Sequence, residues 1–184
     1  MRDRHDAQQR AQQRALARRQ LQRLFLKVDR ATVLIHPHAA EAGLAQNRAA
    51  EQARGEYLLL LSGEAAVVNA DWLDELLNHA QRPEVGVVGG KLLTPNGRIA
   101  QAGLLLGVNG PATPAFVGEA MDAAGYMHRL QVDQNYSAVT AACLMIRKSL
   151  YDEVGGMDEE HFKVSYNDVD LCLKVGAMGY LNVW

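Results

Sequence analysis

The sequence predicts an α/β fold in which a largely parallel sheet is flanked by helices. Continuous apolar runs, YLLLL at 57–61 and VGVVGG at 85–90, are typical of strands that are buried on both faces. Segments whose apolar residues recur at helical spacing separate these runs. Strands that alternate with helices indicate parallel pairing through crossover connections, and the less regular stretch from 94 to 136 indicates an insertion.

The first thirty residues predict a basic helix. Residues 1–30 are rich in strong helix formers and carry a net charge of +6, whereas the rest of the chain carries −8. A basic arm could bind nucleic acid or anionic lipid. Aromatic residues do not alternate with its arginines, as single-strand binding would require. We therefore favour a solvated helix face and expect no nucleic-acid partner.

The next elements alternate between strand and helix. ATVLIHP predicts a short strand, and AEAGLAQNRAAEQARG predicts a helix that Gly55 ends. The buried face of that helix is expected to consist of small residues: Ala45, Ala49 and Ala53. After the YLLLL strand, Asn69 is the expected N-cap of a second helix. Apolar residues then recur at helical spacing: Trp72, Leu73, Leu76, Leu77 and Ala80.

The last third of the chain predicts two further strands and two helices. VTAACLMIRK and YLNVW predict strands, SLYDEVGG predicts a short helix stopped by Gly155, and DVDLCLKVGAMG predicts a helix that ends at Gly179. Cys143 and Cys172 lie outside any CxxC spacing, which indicates reduced core residues of a cytoplasmic protein. No apolar run in the sequence approaches the roughly 20 residues that would span a bilayer.

Four segments, in this order, resemble motifs of family 2 glycosyltransferases of the GT-A fold: GEYLLLLSGEAAVVNADWLDELL, PEVGVVGGKLLTPNGRIAQAG, VTAACLMIRKSLYDEVGGMDEEHF and YNDVDLCLKVGAMGY. The resemblance extends from about Thr32 to Trp184 and implies a partial GT-A domain at 31–184. The strand and loop with which family members hold the nucleobase have no counterpart before residue 30. We therefore expect an incomplete sheet whose exposed edge favours association into a homo-oligomer.

The resemblance places a metal-binding element directly after the YLLLL strand. Family members carry a D-x-D motif there, whose carboxylates hold a divalent cation against the diphosphate of the nucleotide-sugar. Here the matching positions are Ser62, Gly63 and Glu64, so Glu64 is the expected metal ligand. The alternative is that Glu64 is a solvated turn residue. Mg²⁺ and Mn²⁺ prefer hard oxygen ligands and neutralise the departing diphosphate. With one carboxylate instead of two, we expect the cation to bind weakly or not at all.

The same resemblance implies a general base at the start of the last helix. In SYNDVDL, Asp168 matches the aspartate that accepts the proton of the acceptor hydroxyl, and Asn167 replaces the usual glutamate. Because Asp168 begins a helix, N-capping is the alternative role, and the two roles are compatible. The preceding strand segment would lie beneath the donor sugar, where Thr140 and Ala141 are expected to touch it, although core packing explains most of that strand.

The turn GGMDE resembles the family's GGFDE turn, which shapes the acceptor side. It implies acceptor contacts for Gly156, Asp158 and Glu159. The function implied is transfer of a sugar, with inversion, from a nucleotide-diphosphate sugar to a glycan or lipid-linked acceptor. The parent protein is then expected to associate peripherally with the membrane and to work at its inner face. The alternative is a catalytically inactive GT-A-like binding or scaffold module, which Ser62, Gly63 and Asn167 favour because the two motifs that contain them have lost acidic groups.

Overall fold

A six-stranded sheet lies at the centre of the computed structural model, which describes residues 30–36 and 42–184. The basic helix predicted at 1–30 lies outside these ranges, apart from Arg30. The strands in chain order are β1 (Ala31–His36), β2 (Tyr57–Ser62), β3 (Val85–Gly89), β4 (Leu92–Leu93), β5 (Ile99–Gln101), β6 (Leu104–Leu106), β7 (Ala112–Pro114), β8 (Asn135–Tyr136), β9 (Cys143–Arg147) and β10 (Leu181–Val183). The helices are α1 (Ala42–Gln52), α2 (Trp72–Ala80), α3 (Lys148–Glu153) and α4 (Asn167–Ala177), and a 3₁₀ turn covers Tyr126–His128.

The sheet is mixed, with the strand order β1-β2-β9-β3-β10-β8. β1, β2, β3 and β10 run in one direction, whereas β9 is antiparallel to both of its neighbours and β8 is antiparallel to β10. The predicted α/β fold is confirmed, and the predicted parallel direction holds for four of these six strands. β4 and β5 form a separate antiparallel pair around the PNG turn.

Side chains along each strand point alternately to the two faces of the sheet, so the apolar residues form two layers. In β2, Leu58 and Leu60 pack into a layer with residues of α1, α3 and α4. Tyr57, Leu59 and Leu61 point to the opposite face, where they pack with α2. Both faces of the strand are therefore covered, which explains its unbroken apolar sequence. Within the described ranges, no helix has the length and apolarity that a membrane crossing requires.

The structure corrects two expectations for α1. Its buried positions are Gly43, Gln46 and Ala50, whereas Ala45 is exposed, so the face is rotated from the one predicted. Gly55 does not end the helix through a left-handed conformation, because its φ is not positive. It is required for close packing instead, since a Cβ at this position would lie 2.5 Å from the backbone nitrogen of Thr32.

The structure corrects one predicted end of the later helices and confirms two others. α2 begins at Trp72 after Asp71, so the expectation that Asn69 is its N-cap is wrong. Gly155 and Gly179 follow α3 and α4 with φ values of +79° and +91°, the conformation expected of residues that end helices. Both cysteines are free and buried. Burial raises the thiol pKa to about 11 for Cys143 and to about 12 for Cys172.

Candidate functional site

The antiparallel β9 determines which loops meet at one edge of the sheet. β2 and β3 end at the edge where β9 begins, because β9 lies between them and runs the opposite way. The backbone N–H of Ser62 donates to the carbonyl of Ala142 at 3.0 Å, and that of Gly90 donates to the carbonyl of Cys143 at 3.2 Å. The turn after β2 therefore lies directly beside the loop that leads into β9.

Ser62, Gly63 and Glu64 form a tight turn at this edge. The N–H of Ala65 donates to the Ser62 carbonyl at 3.0 Å, and the N–H of Glu64 lies 3.3 Å from the Ser62 hydroxyl oxygen. The Ser62 side chain thus stabilises the turn at the position where a carboxylate was expected from the family pattern. The Glu64 side chain is exposed at the far end of the turn.

Asp168 lies in the first turn of α4 and contacts the same loop. Its Oδ2 accepts a hydrogen bond from the N–H of Ala141 at 3.1 Å, and its Oδ1 accepts from the N–H of Val169 at 2.9 Å. Tyr166, with a φ of +65°, occupies the N-cap position, so Asp168 is not the cap residue. The N-terminal end of a helix favours a carboxylate electrostatically. The 140–142 loop therefore connects the predicted base to the turn after β2.

Thr140 contributes to the shape of that loop. Its hydroxyl oxygen accepts from the N–H of Ala142 at 3.2 Å, two residues further along the chain. Thr140 is partly buried and Ala141 is buried. The structure thus brings five predicted residues to one sheet edge: Ser62, Gly63, Thr140, Ala141 and Asp168.

The GGMDE turn lies on the α1 side of the sheet and makes its own internal bonds. The N–H groups of His161 and Glu160 donate to Oδ1 of Asp158 at 2.7 and 2.8 Å, and Oδ2 of Asp158 lies 3.1 Å from Nδ1 of His161. These contacts, with the backbone N–H of His161 contributing most, lower the pKa of Asp158 to about 2. The Asp158 carboxylate thus stabilises the turn that carries it.

Asn47 of α1 anchors this turn and was not identified from the sequence. Its Nδ2 donates to the Met157 carbonyl at 2.9 Å and to Oε1 of Glu159 at 2.7 Å. Its Oδ1 accepts from the Tyr151 hydroxyl at 2.5 Å and from the Met157 N–H at 2.9 Å. Gly156 fits beside it, with a φ of +65°, because a Cβ would lie 2.6 Å from that Oδ1. This role depends on a tertiary contact, the packing of α1 against the turn, and no sequence motif indicates it.

The side chains at this edge suit a divalent cation only if a bound substrate supplies some of its ligands. In the part of the chain that the structure describes, no group of three or more His, Cys, Asp or Glu side chains is arranged to hold a metal ion. Mg²⁺ is commonly bound by one or two carboxylates together with substrate phosphates and waters. Glu64 therefore fits as one protein ligand of a cation whose other ligands are phosphate oxygens and water.

Sequence comparison identifies relatives of this chain. A protein of Sinorhizobium fredii named "Uncharacterized protein y4gI" is 49% identical over 138 residues, which cover 75% of this chain and 15% of that protein. The O-antigen biosynthesis protein RfbC of Myxococcus xanthus is 42% identical over 135 residues, 72% of this chain and 10% of RfbC. The chain therefore matches a small part of each of these two relatives.

A third relative carries an enzyme name. The N-acetylglucosaminyl-diphospho-decaprenol L-rhamnosyltransferase of Mycobacterium tuberculosis is 28% identical over 120 residues, 61% of this chain and 39% of that enzyme. No protein-family model matches the chain. A solved mannosyltransferase of Pyrobaculum calidifontis, in complex with GDP-Man and Mn²⁺, covers 76% of this chain and 32% of its own, with 16% identity and a TM-score of 0.49. The named sequence relatives support placing this chain among the GT-A type glycosyltransferases, as the order of its motifs indicates.

Proposed function

We propose that this chain is part of a family 2 glycosyltransferase that transfers a sugar from a nucleotide-diphosphate sugar to a glycan or lipid-linked acceptor, with inversion. The observation that carries the proposal is the bond between Asp168 and the N–H of Ala141, at the edge where the Ser62–Glu64 turn ends. The relatives add support, since one is named for O-antigen biosynthesis and another as a rhamnosyltransferase acting on a diphospho-decaprenol lipid.

In this proposal Asp168 accepts the proton of the acceptor hydroxyl. As the hydroxyl oxygen bonds to the anomeric carbon, the bond from that carbon to the diphosphate breaks and the proton passes to the Asp168 carboxylate. The carboxylate has about four acceptor sites, so its bonds from Ala141 and Val169 leave room for the hydroxyl. Those bonds also fix its orientation. A cation bound at Glu64 would neutralise charge on the departing diphosphate.

The substitution Asp168→Asn tests this role. The amide oxygen can still accept from Ala141, so we expect the fold and donor binding to persist. Loss of the base should lower turnover by about 10²- to 10⁴-fold. The measurement is release of nucleoside diphosphate, together with donor affinity by calorimetry. Asp170→Asn is the matched control in the same helix turn, where the carboxylate pairs with Lys174 at 2.7 Å. Turnover within a few fold of wild type in Asp168→Asn would refute the assignment.

A catalytically inactive binding or scaffold module is the second candidate. It is favoured by Ser62, whose hydroxyl stabilises its own turn, and by Asn167, whose Oδ1 accepts from the N–H of Asp168 at 2.8 Å. Titration with UDP- and GDP-sugars, with and without Mn²⁺, separates the candidates. Tight glycan binding without any measurable affinity for nucleotide-sugar would favour the module.

Self-association is a further part of the proposal. Among the described residues, β1 and β8 form the two edges of the sheet. β1 is a regular six-residue strand, and an unpaired regular edge is a template for pairing with another chain. We expect a dimer or larger homo-oligomer, working at the inner face of the membrane. A clean monomer by light scattering at high concentration would contradict the oligomer.

A further inference from the structure

The segment between β8 and β9, residues 137–142, leads into the proposed site without belonging to a regular strand. An isolated bridge joins its Ala138 to Leu104, whose N–H donates to the Ala138 carbonyl at 2.9 Å. Because Ala138, Val139 and Ala141 are buried, the other backbone groups of the segment also need hydrogen-bond partners. Side chains of neighbouring elements supply several of the partners that a strand ladder would supply.

Cys172 of α4 supplies both partners of Val139. Its Sγ accepts from the Val139 N–H at 3.5 Å and donates to the Val139 carbonyl at 3.6 Å. Burial raises the pKa of the Cys172 thiol, so the thiol keeps the proton that it donates. Gly89, at the end of β3, also lies against Val139, since a Cβ at Gly89 would lie 2.6 Å from the Val139 Cβ. Val139 therefore packs closely against both α4 and β3.

Asn182 of β10 holds the start of the segment. Its Nδ2 donates to the carbonyls of Ser137 and Cys172, each at 3.0 Å. Gln46 and Asn182 are the buried polar residues in the part of the chain that the structure describes. Burying an amide costs free energy that its hydrogen bonds must offset. The two bonds from Nδ2 therefore tie Ser137 firmly to the middle of α4.

These contacts follow one another along α4. Asp168 and Cys172 are four residues apart and so lie on one face of the helix. They bind Ala141 and Val139, which are two residues apart and follow in the reverse order. The segment thus runs beside α4 in the opposite direction. A displacement at Val139 would carry with it the Ala141 N–H that bonds to the Asp168 carboxylate.

We propose that Cys172 and Asn182 are positioning residues, which hold the 137–142 segment so that the Ala141 N–H orients the Asp168 carboxylate. The inference rests on the transferase function proposed above and adds two residues to it. Both side chains are buried, so they act through the segment and do not touch a substrate. Misplacing a reacting group by about 1 Å can lower turnover roughly 10²-fold, so their effect should appear in kcat.

Hydrogen exchange followed by NMR tests the positioning without any substrate. Cys172→Ala removes both bonds to Val139, whereas Cys172→Ser keeps a donor and an acceptor. Val175→Ala is the matched control, because Val175 is also buried and lies three residues further along α4. Relative to the amides of β2, the Ala141 amide should exchange at least about tenfold faster in Cys172→Ala than in Val175→Ala. In Cys172→Ser it should exchange nearly as in wild type.

Asn182→Leu tests the second residue. Leucine keeps a similar buried volume and removes the bonds to the Ser137 and Cys172 carbonyls. The amides of Val139 and Ala141 should therefore exchange faster relative to those of β2. Wild-type exchange throughout the segment would overturn the role of Asn182.

Turnover tests the consequence for the reaction. The assay is release of nucleoside diphosphate from UDP- and GDP-sugars. Cys172→Ala should lower kcat at least about tenfold, whereas Cys172→Ser and Val175→Ala should stay within about threefold of wild type. Affinity for UDP and GDP, measured by calorimetry, should be the same in all variants, because the segment is expected to contact the sugar and not the nucleotide.

Three outcomes overturn the role of Cys172. They are equal exchange at Ala141 in Cys172→Ala and Val175→Ala, no rescue by Cys172→Ser, and wild-type kcat in Cys172→Ala. Failure of the transferase function has a different signature. Wild-type protein would then turn over no nucleotide-sugar, while exchange at Ala141 still responded to Cys172→Ala and was rescued by Cys172→Ser. The orientation of the Asp168 carboxylate by the segment would stand, and its use in sugar transfer would fall.

Discussion

Asn47→Ala should destabilise the protein by about 2–4 kcal/mol. The substitution removes four hydrogen bonds, to the Tyr151 hydroxyl, to both backbone groups of Met157 and to Glu159. Each net hydrogen bond is worth about 0.5–1.5 kcal/mol, and a buried group left unpaired costs about 1–3 kcal/mol. Tyr151 and Met157 are buried, so their three bonds should dominate, whereas the exposed bond to Glu159 should add little.

Urea unfolding followed by circular dichroism measures this loss. Arg48→Ala is the matched control, because Arg48 is the next residue of α1 and is exposed. Surface substitutions of that kind usually change stability by less than about 0.5 kcal/mol. The Asn47 substitution should also increase amide exchange in the GGMDE turn that it anchors. A loss below about 1 kcal/mol, or equal losses in the two variants, would show that Asn47 does not anchor the turn.

Two further predictions concern acid stability and glycine packing. Folding lowers the pKa of Asp158 to about 2, so its stabilising contribution is present above the unfolded pKa of 3.8 and is lost as pH falls towards 2. Asp158→Asn should therefore flatten the stability loss over that interval in acid titrations, and an unchanged slope would contradict this. Gly55→Ala should cost about 1–3 kcal/mol, because its Cβ would lie 2.5 Å from the Thr32 nitrogen. Gly176→Ala, in a helix where the nearest neighbour is 3.9 Å away, should gain about 0.5–1 kcal/mol. Thermal unfolding compares the pair, and equal melting temperatures would refute the packing argument.

The strands were the most predictable elements because a strand that is buried on both faces has a continuous apolar sequence. YLLLL, VGVVG and CLMI are continuous apolar runs, and all three lie in strands of the central sheet. The glycines that end α3 and α4 were also predictable, since a left-handed residue after a helix favours glycine strongly. Asp168 was found through its motif, and the structure places it beside Ala141.

Tertiary contacts determined what the sequence could not indicate. The buried face of α1 includes Gln46 and excludes Ala45, because the neighbouring elements decide which side of a weakly amphipathic helix is covered. Glycine is required at position 55 because the strand that contains Thr32, 23 residues away in the chain, packs closely against it. A cavity on the α2 side of the sheet is lined by Trp72, Lys91 and Trp184, which come from three separate segments of the chain. No local pattern records such convergence.

The position of β9 has a consequence for how the chain is made. β2 and β3 follow one another in sequence, yet each pairs with β9, which is synthesised roughly sixty residues after β3. At translation rates of about 5–20 residues per second, the two apolar strands wait roughly 3–12 seconds for the partner that separates them. During that interval they are exposed to pairing with each other or with a neighbouring nascent chain. The yield of soluble protein should therefore depend on translation speed between residues 90 and 147 and on chaperones that cover apolar segments.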